Sequence, residues 1–591
     1  QLHRAVCRFR MVAPGAVQPT SFTLGNREGL AKQLSKSELE ARARAVETAT
    51  CSCEWVADGC GEDDGSACWS MCCDEVYKML RITRAPNPFA SRELATSHIF
   101  RSHLSKLQGS LDHGVLHHGK LHNTPTAVWI DSKAALVPLR HTLADLAKQE
   151  PPPTLVVVAY NLPNRDCAQS ESNPRPLGRR LTRRHCEPSL TGNAKASVGE
   201  ICCGARAADG SCSAAVAGCE SGLREYRDDF IAPLASILAA HSTVPVVIIL
   251  EPDALPNLVT NRGSNPGCGS NTTQHAYEDG ILLALTALKS ASPRVTVYLD
   301  AGHGAWLGWE EPARRLMARV CKLGLQSHIR GFSTNVANYN PLGVACPAAA
   351  FEAGETAAHW CHWVAKGAAS CCSHDLGSCG RQLLTEYNNG AGELMYAQLL
   401  AKLAREQCAG FEPRFVIDTS RNGNPNARHA ASYFGGGTCD HWCNLRGARL
   451  GVTPTTDTGL DIVDAFFWVK TPGESDGCGI AGGSDGDACA RVDASCARPT
   501  ALGTGWHESP APDAGAFFAA AMLSLNSPIS SLESGALGPD TLGKTAIWLL
   551  AVLLLVCTCG CGKRNHAKPL VRSGSGALYA VAEDQPMLHT S

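Results

Sequence analysis

Six short apolar runs recur along the middle of this chain: Ala127 to Ile130, Leu155 to Ala159, Val244 to Leu250, Val295 to Leu299, Phe415 to Ile417 and Ala465 to Val469. Helix-like segments lie between several of them, as at Leu223 to Leu238, Tyr277 to Leu288 and Gly392 to Arg405. An apolar run this short and this continuous reads as a strand covered on both faces. Strands that alternate with helices imply a parallel sheet, open or closed into a barrel. Two of the runs stop abruptly in polar, charged residues. One leads through Tyr160 to Asp166, the other through Glu251 and Pro252 to Asp253. A buried parallel strand delivers a carboxylate to the mouth of a barrel in this way. Two such carboxyls facing one cleft are the minimum equipment for acid-catalysed glycoside hydrolysis.

The bulk of the sequence narrows the setting. With 44% hydrophobic residues, most of the 591 can bury a core, and the net charge of −2 excludes a nucleic-acid binder. The 29 cysteines are spaced irregularly in Gly- and Ser-rich stretches, without the paired spacing of zinc sites. They read as disulfides of a secretory-pathway protein, and the glycosylation sequon at Asn271 agrees with that compartment. No apolar stretch of a signal peptide follows Gln1, so the chain reads as mature or truncated at its front. Thr545 to Gly562 is uncharged and of membrane-spanning length, and Lys563 and Arg564 follow at once. That flank predicts a cytoplasmic tail and a catalytic bulk outside the cell, on a single-pass anchor.

The expected organisation has five parts. Residues 1–83 form a Cys-rich region of unknown role, with a polar helix candidate at Ser37 to Thr48 and a cysteine cluster from Cys51 to Cys73. Residues 84–527 carry the strand and helix rhythm, broken by two expected surface insertions at about 168–195 and about 343–380. A stalk at 528–544, the span at 545–562 and a tail at 563–591 complete the chain.

Across 84–527 the motifs fall in one order: Asn87-Pro88-Phe89, Trp129 to Asp131, Leu162 to Cys167, Glu251 to Leu255, Tyr298 to His303, Thr334 to Tyr339, Ile417 to Gly423, Trp442 to Asn444 and Trp468 to Gly477. With these the chain strongly resembles glycoside hydrolase family 6, the inverting cellulases. The resemblance implies a distorted seven-stranded parallel α/β barrel, with the active site at the C-terminal ends of the strands. It also implies hydrolysis of β-1,4-glucosidic bonds in cellulose or a related β-glucan, by a monomer without metal or organic cofactor.

Inverting hydrolysis needs a proton for the leaving oxygen and a water on the opposite face of the sugar. By the resemblance, Asp253 is the general acid and Asp166 the neighbour that helps hold its proton. Asp476 is the candidate base, Ser197 helps hold the attacking water, and Tyr160 presses on the distorted ring. For a lone aspartate at a strand end, a helix N-cap is the competing reading. Flat apolar faces with hydrogen-bonding rims suit pyranose rings. Trp129, Trp306, Trp309 and Trp442 match the family's platforms, while Asp300, His303, Asn338, Lys470 and Glu474 match its polar groove contacts. The resemblance also implies disulfides joining Cys167 to Cys268 and Cys443 to Cys496. The segments after Asp166 and between Asp476 and Pro510 are long, and Cys478 with Cys489 would staple the second. Long segments there favour a roofed cleft and exo release of cellobiose. An endoglucanase and a non-hydrolytic cell-surface glycan binder are the alternatives.

Overall fold

The structure is a computed structural model. It describes residues 8–12, 20–23, 50–52 and 86–528, apart from 91, 112–113, 166–200, 202, 204–218, 263–268, 346–375, 431–438, 480–492, 494, 500 and 504–509. Strands β1 (Arg8–Val12), β2 (Thr20–Thr23) and β3 (Thr50–Ser52) make a small antiparallel sheet in the order β2-β1-β3. The helix expected at Ser37 to Thr48, the cysteine cluster beyond Ser52, the stalk, the apolar span at 545–562 and the tail lie outside the described residues. Among the described residues, no helix is long and apolar enough to cross a membrane.

Seven parallel strands form the main sheet. They are β4 (Val128–Ile130), β5 (Leu155–Ala159), β6 (Val246–Leu250), β7 (Val295–Asp300), β8 (Gly331–Thr334), β9 (Arg414–Asp418) and β10 (Val463–Phe467). They lie side by side in chain order, every neighbour parallel. The expected barrel is not fully closed. Among the described residues, β4 and β10 pair only through a parallel bridge from Thr126 to Trp468, with Ala127 N–H donating to Trp468 O at 3.1 Å.

Burial on both faces explains the unbroken apolar runs. Val246, Ile248 and Leu250 of β6 pack outward in one core with the helices, while Val247 and Ile249 face the second core. Leu155, Val157 and Ala159 of β5 likewise alternate with Val156 and Val158, the two-residue period of a pleated strand. The outer layer includes α1 (Leu136–Leu146), α2 (Ala232–Ala240), α3 (Ala254–Asn261), α4 (Asn271–Ala291), α5 (Gly304–Leu307), α6 (Glu310–Lys322) and α7 (Glu393–Gln407). The helix expected at Leu223 to Leu238 is interrupted by a π-helical turn at Tyr226–Ile231.

Strand β8 was not among the expected runs. Its sequence, Gly-Phe-Ser-Thr, has one large apolar residue, yet all four residues are buried. Gly331 is required there, since a Cβ would lie 1.8 Å from Arg414 O on the neighbouring strand. The second expected surface insertion also ends sooner than its assigned limit: Gly377–Thr385 is a helix with Cys379 buried on it.

The N-terminal side of the sheet is closed by a buried polar group. Asp464 accepts from Tyr298 OH at 2.6 Å, from Arg330 Nε at 2.7 Å and from Arg330 Nη2 at 3.1 Å. Phe89 packs on Tyr298 and Phe467 beside it, and Asn87 donates to Asp464 O at 2.7 Å.

Candidate active site

The C-terminal strand ends carry most of the strained backbone. Among the described residues, the non-glycine positions with left-handed φ are Asn164, Glu251, Asp253, Asn335, Ala337, Tyr387 and Asn444. All but the exposed Tyr387 follow a strand end or touch Asp476. Left-handed backbone at non-glycine residues costs about 1–3 kcal/mol each and persists only where neighbours enforce it.

Asp253 follows β6 with φ 63°, at the position that precedes helix α3. Its side chain makes no capping hydrogen bond, so the N-cap role does not apply. Its backbone N–H is held by Asp300 Oδ1 at 2.9 Å. Glu251, two residues earlier, is buried. It accepts from Tyr226 OH at 2.7 Å and from the N–H groups of Asn161 and Leu162 at 3.1 Å. Burial outweighs these bonds and raises its carboxyl to about 7.

Asp300, expected among the polar groove contacts, lies beside Asp253. It is 1% exposed, and its oxygens are taken by the N–H groups of Asp253 and Gly302 at 2.9 Å and by Ser333 Oγ at 3.2 Å. As the last residue of β7, Asp300 holds the backbone of Asp253. Burial pushes its carboxyl up, and Glu393 adds to the shift.

Asp476, after β10, is bound on both oxygens. Oδ1 accepts from Arg421 Nη1 at 2.7 Å, and Oδ2 from Tyr339 OH at 2.6 Å and Asn444 N–H at 2.9 Å. The Arg421 guanidinium lies 4.1 Å from the Tyr339 ring centre. Burial works against the charge on Arg421, but Asp476, Tyr339 and Asp418 together outweigh it and the guanidinium is held above its ordinary value.

A continuous set of bonds links the two aspartates. From Asp300 it passes to Gly302, whose carbonyl accepts from Asn335 N–H at 2.8 Å. Asn335 Nδ2 donates to Asp418 O at 2.9 Å, and Asp418 Oδ2 accepts from Ala337 N–H at 3.0 Å and Lys470 N–H at 2.9 Å. Arg421 then donates to Ala337 O and to Asp476.

The expected sugar-contact residues occupy the same end. Trp129 is crossed by Lys470 Nζ at 5.2 Å and met edge-on by Tyr160 at 5.9 Å. Arg165 lies 4.3 Å from the Tyr160 ring centre and donates to Asp131 O. Lys470 pairs with Glu474 at 3.3 Å, and burial raises Glu474 against that attraction. His303 sits 6.0 Å from Trp306, and burial, with Arg428 beside it, holds the imidazole well below its ordinary value. Asn338 Oδ1 accepts from Arg428 Nη2 at 2.6 Å. Trp306, Trp309 and Trp442 are each partly exposed. Asn271 is exposed at the start of α4. Asp166, Ser197, Cys167, Cys268 and Cys489 lie outside the described residues.

The sequence profile of the glycosyl hydrolases family 6 matches residues 92–177 and 200–528. The chain belongs to glycosyl hydrolases family 6. A 1,4-beta-D-glucan cellobiohydrolase CEL6C of Podospora anserina is 32% identical over 399 residues, 67% of this chain and 75% of that protein. A 1,4-beta-D-glucan cellobiohydrolase C of Emericella nidulans is 33% identical over 412 residues, 68% of either chain. Among solved structures, cellobiohydrolase II (Cel6A) of Humicola insolens, in complex with glucose and cellotetraose, aligns with a TM-score of 0.53 and 26% identity. That alignment covers 75% of this chain and 99% of that one.

In this family 6 chain, four disulfides are formed among the described residues, and Cys443 lies beside Asn444, which bonds Asp476. Cys443 pairs with Cys496, Cys379 with Cys439, Cys321 with Cys408 and Cys203 with Cys219. Sequence reasoning assigned no role to Glu251, Tyr339, Asp418, Arg421 or Glu393. Glu251, Tyr339, Asp418 and Arg421 stand inside the motifs that carried the family resemblance, which was the available signal for them.

Proposed function

We propose that this chain hydrolyses β-1,4-glucosidic bonds in cellulose with inversion of configuration and releases cellobiose from chain ends. Asp253 gives its proton to the leaving oxygen, with Asp166 as its neighbour. Water attacks from the opposite face, and Ser197 helps to hold it. Asp476, paired with Arg421, supplies the negative charge toward which the proton from water is drawn. Tyr160 presses on the ring at the cleavage point. Trp129, Trp306, Trp309 and Trp442 stack on pyranose faces, and His303, Asn338, Lys470 and Glu474 meet hydroxyls.

The observation that carries this reading is Asp253: left-handed, pinned through its N–H by Asp300, and with a side chain that caps no helix. A capping aspartate uses its carboxylate on the first helical N–H groups, whereas this one is kept out of that role at a strained backbone position. Support for exo action comes from relatives named cellobiohydrolase and exoglucanase. The test is digestion of cellohexaose, with products and their anomeric form followed by NMR. Cellobiose of inverted configuration is expected. Mixed oligomers would make the chain an endoglucanase, and binding without cleavage would make it a glycan-binding protein.

We further propose that residues 545–562 anchor the catalytic part at the cell surface, as a monomer with residues 563–591 in the cytoplasm. The disulfides are in keeping with an oxidising compartment. Fractionation of cells expressing the chain, with and without residues 545–591, tests it: loss of membrane association on truncation is expected.

A further inference from the structure

Glu393 opens helix α7 and is fully buried. A glutamate in a first turn ordinarily faces the N-terminus of its own helix. Here its Oε1 instead accepts Gly304 N–H at 2.8 Å and Asn340 Nδ2 at 2.6 Å. Gly304 begins the loop and short helix that carry Trp306, between His303 and Trp309. Other struts run from the same segment to the same loop. Asn388 Nδ2 donates to Gly304 O at 2.9 Å, Gly390 N–H to Gly308 O at 3.0 Å, and Tyr396 OH to Ala301 O at 2.7 Å. The approach is close enough that a Cβ on Gly304 would lie 1.8 Å from Gly390 O. Trp309 is tied in as well, its Nε1 donating to Glu386 O at 2.9 Å.

We propose that Glu393 is a positioning residue for substrate: its carboxylate fixes the Gly304 peptide and so sets where His303 and Trp306 meet the sugar. The inference rests on the sugar-binding reading of that loop. It does not place Glu393 in contact with substrate. Burial raises its carboxyl to about 7, which agrees with a group whose bonds, more than its charge, are used. A buried hydrogen bond to a carboxyl is strong enough to fix a loop, and small misplacements of substrate-orienting groups lose rate or affinity steeply.

The test uses three variants of the full chain. Glu393→Ala is expected to raise KM for cellohexaose about tenfold while lowering kcat much less. Glu393→Gln keeps an oxygen for Gly304 N–H and Asn340, and is expected to restore KM to within about twofold of the parent. Asn388→Ala removes a separate strut to the same peptide and is expected to raise KM in the same direction by a smaller factor. Binding is read independently by tryptophan fluorescence on titrating cellohexaose into each variant combined with Asp253→Ala. A parent that binds but does not cleave sinks the hydrolase reading alone, and the fluorescence series still decides this one. Parent-like affinity in Glu393→Ala overturns the inference, as does a Glu393→Gln variant as impaired as the alanine. Should Glu393→Ala fail to fold, unchanged affinity in Asn388→Ala overturns it.

Discussion

The two ends of the parallel sheet are built from the same strands and solve opposite problems. At the N-terminal side, Asp464 meets Arg330 and Tyr298 in a closed group, and Phe89 packs over it. At the C-terminal side, Glu251, Asp300, Asp418 and Glu393 are carboxyls that burial pushes up, and Glu251, Asp253, Asn335 and Ala337 there have left-handed backbone. One end spends buried charge on holding strands together. The other surrounds Asp253 with buried carboxyls whose values are raised, the kind of setting in which a carboxyl can keep a proton for a glycosidic oxygen. A barrel that separates these tasks can change its mouth while keeping its floor.

Substitutions at the two ends should therefore fail differently. The largest effect is expected from Asp253→Ala, which should lower kcat on cellohexaose by roughly 10²–10⁴-fold, the range for loss of a general acid. Its melting temperature should stay close to that of the parent, because its side chain caps no helix. A similar kcat with a lowered melting temperature would erase the distinction. Arg330→Met at the floor should do the reverse. Removing one partner of a buried pair costs about 3–5 kcal/mol of stability, read by chemical denaturation, while kcat per folded molecule stays within about twofold. Tyr339→Phe removes one of the bonds to Asp476, and a bond to a charged group contributes about 1.5–3 kcal/mol. The expected result is a stability loss in that range together with kcat/KM lower by about tenfold. The smallest effect is a slope with pH. Glu251 and Glu393 have folded values of about 7 against an ordinary 4.5. The fold therefore prefers their protonated forms, and the stability they lend is complete below about pH 4.5 and lost as pH rises through about 7. Melting temperature measured across that window should fall, and Glu393→Gln should flatten part of the decline.

The sheet was legible wherever burial on both faces left an unbroken apolar run, as in β5 and β6. Strand β8 was illegible because its burial is achieved by Gly331, Ser333 and Thr334, small residues that let neighbouring strands approach, with the Ser333 hydroxyl bonded to Asp300. Asp253 stood out because a polar turn follows an apolar strand. The hold of Asp300 on the Asp253 backbone was not legible, because the sequence does not say which partners the last residue of a strand will meet. Glu393 left less trace still, since an acidic residue in the first turn of an apolar helix is ordinary. Its distinction lies in Gly304, a partner 89 positions away, and nothing local marks such a pairing.

The bonds that run from Asp253 through Asp300, Gly302, Asn335, Asp418 and Ala337 to Arg421 and Asp476 have an arithmetic consequence. Lesions at the two aspartates share intermediaries, so they do not behave as separate losses. A double-mutant cycle across Asp300→Asn and Arg421→Lys should return a coupling energy, where residues this far apart in sequence, joined by no such circuit, would simply add.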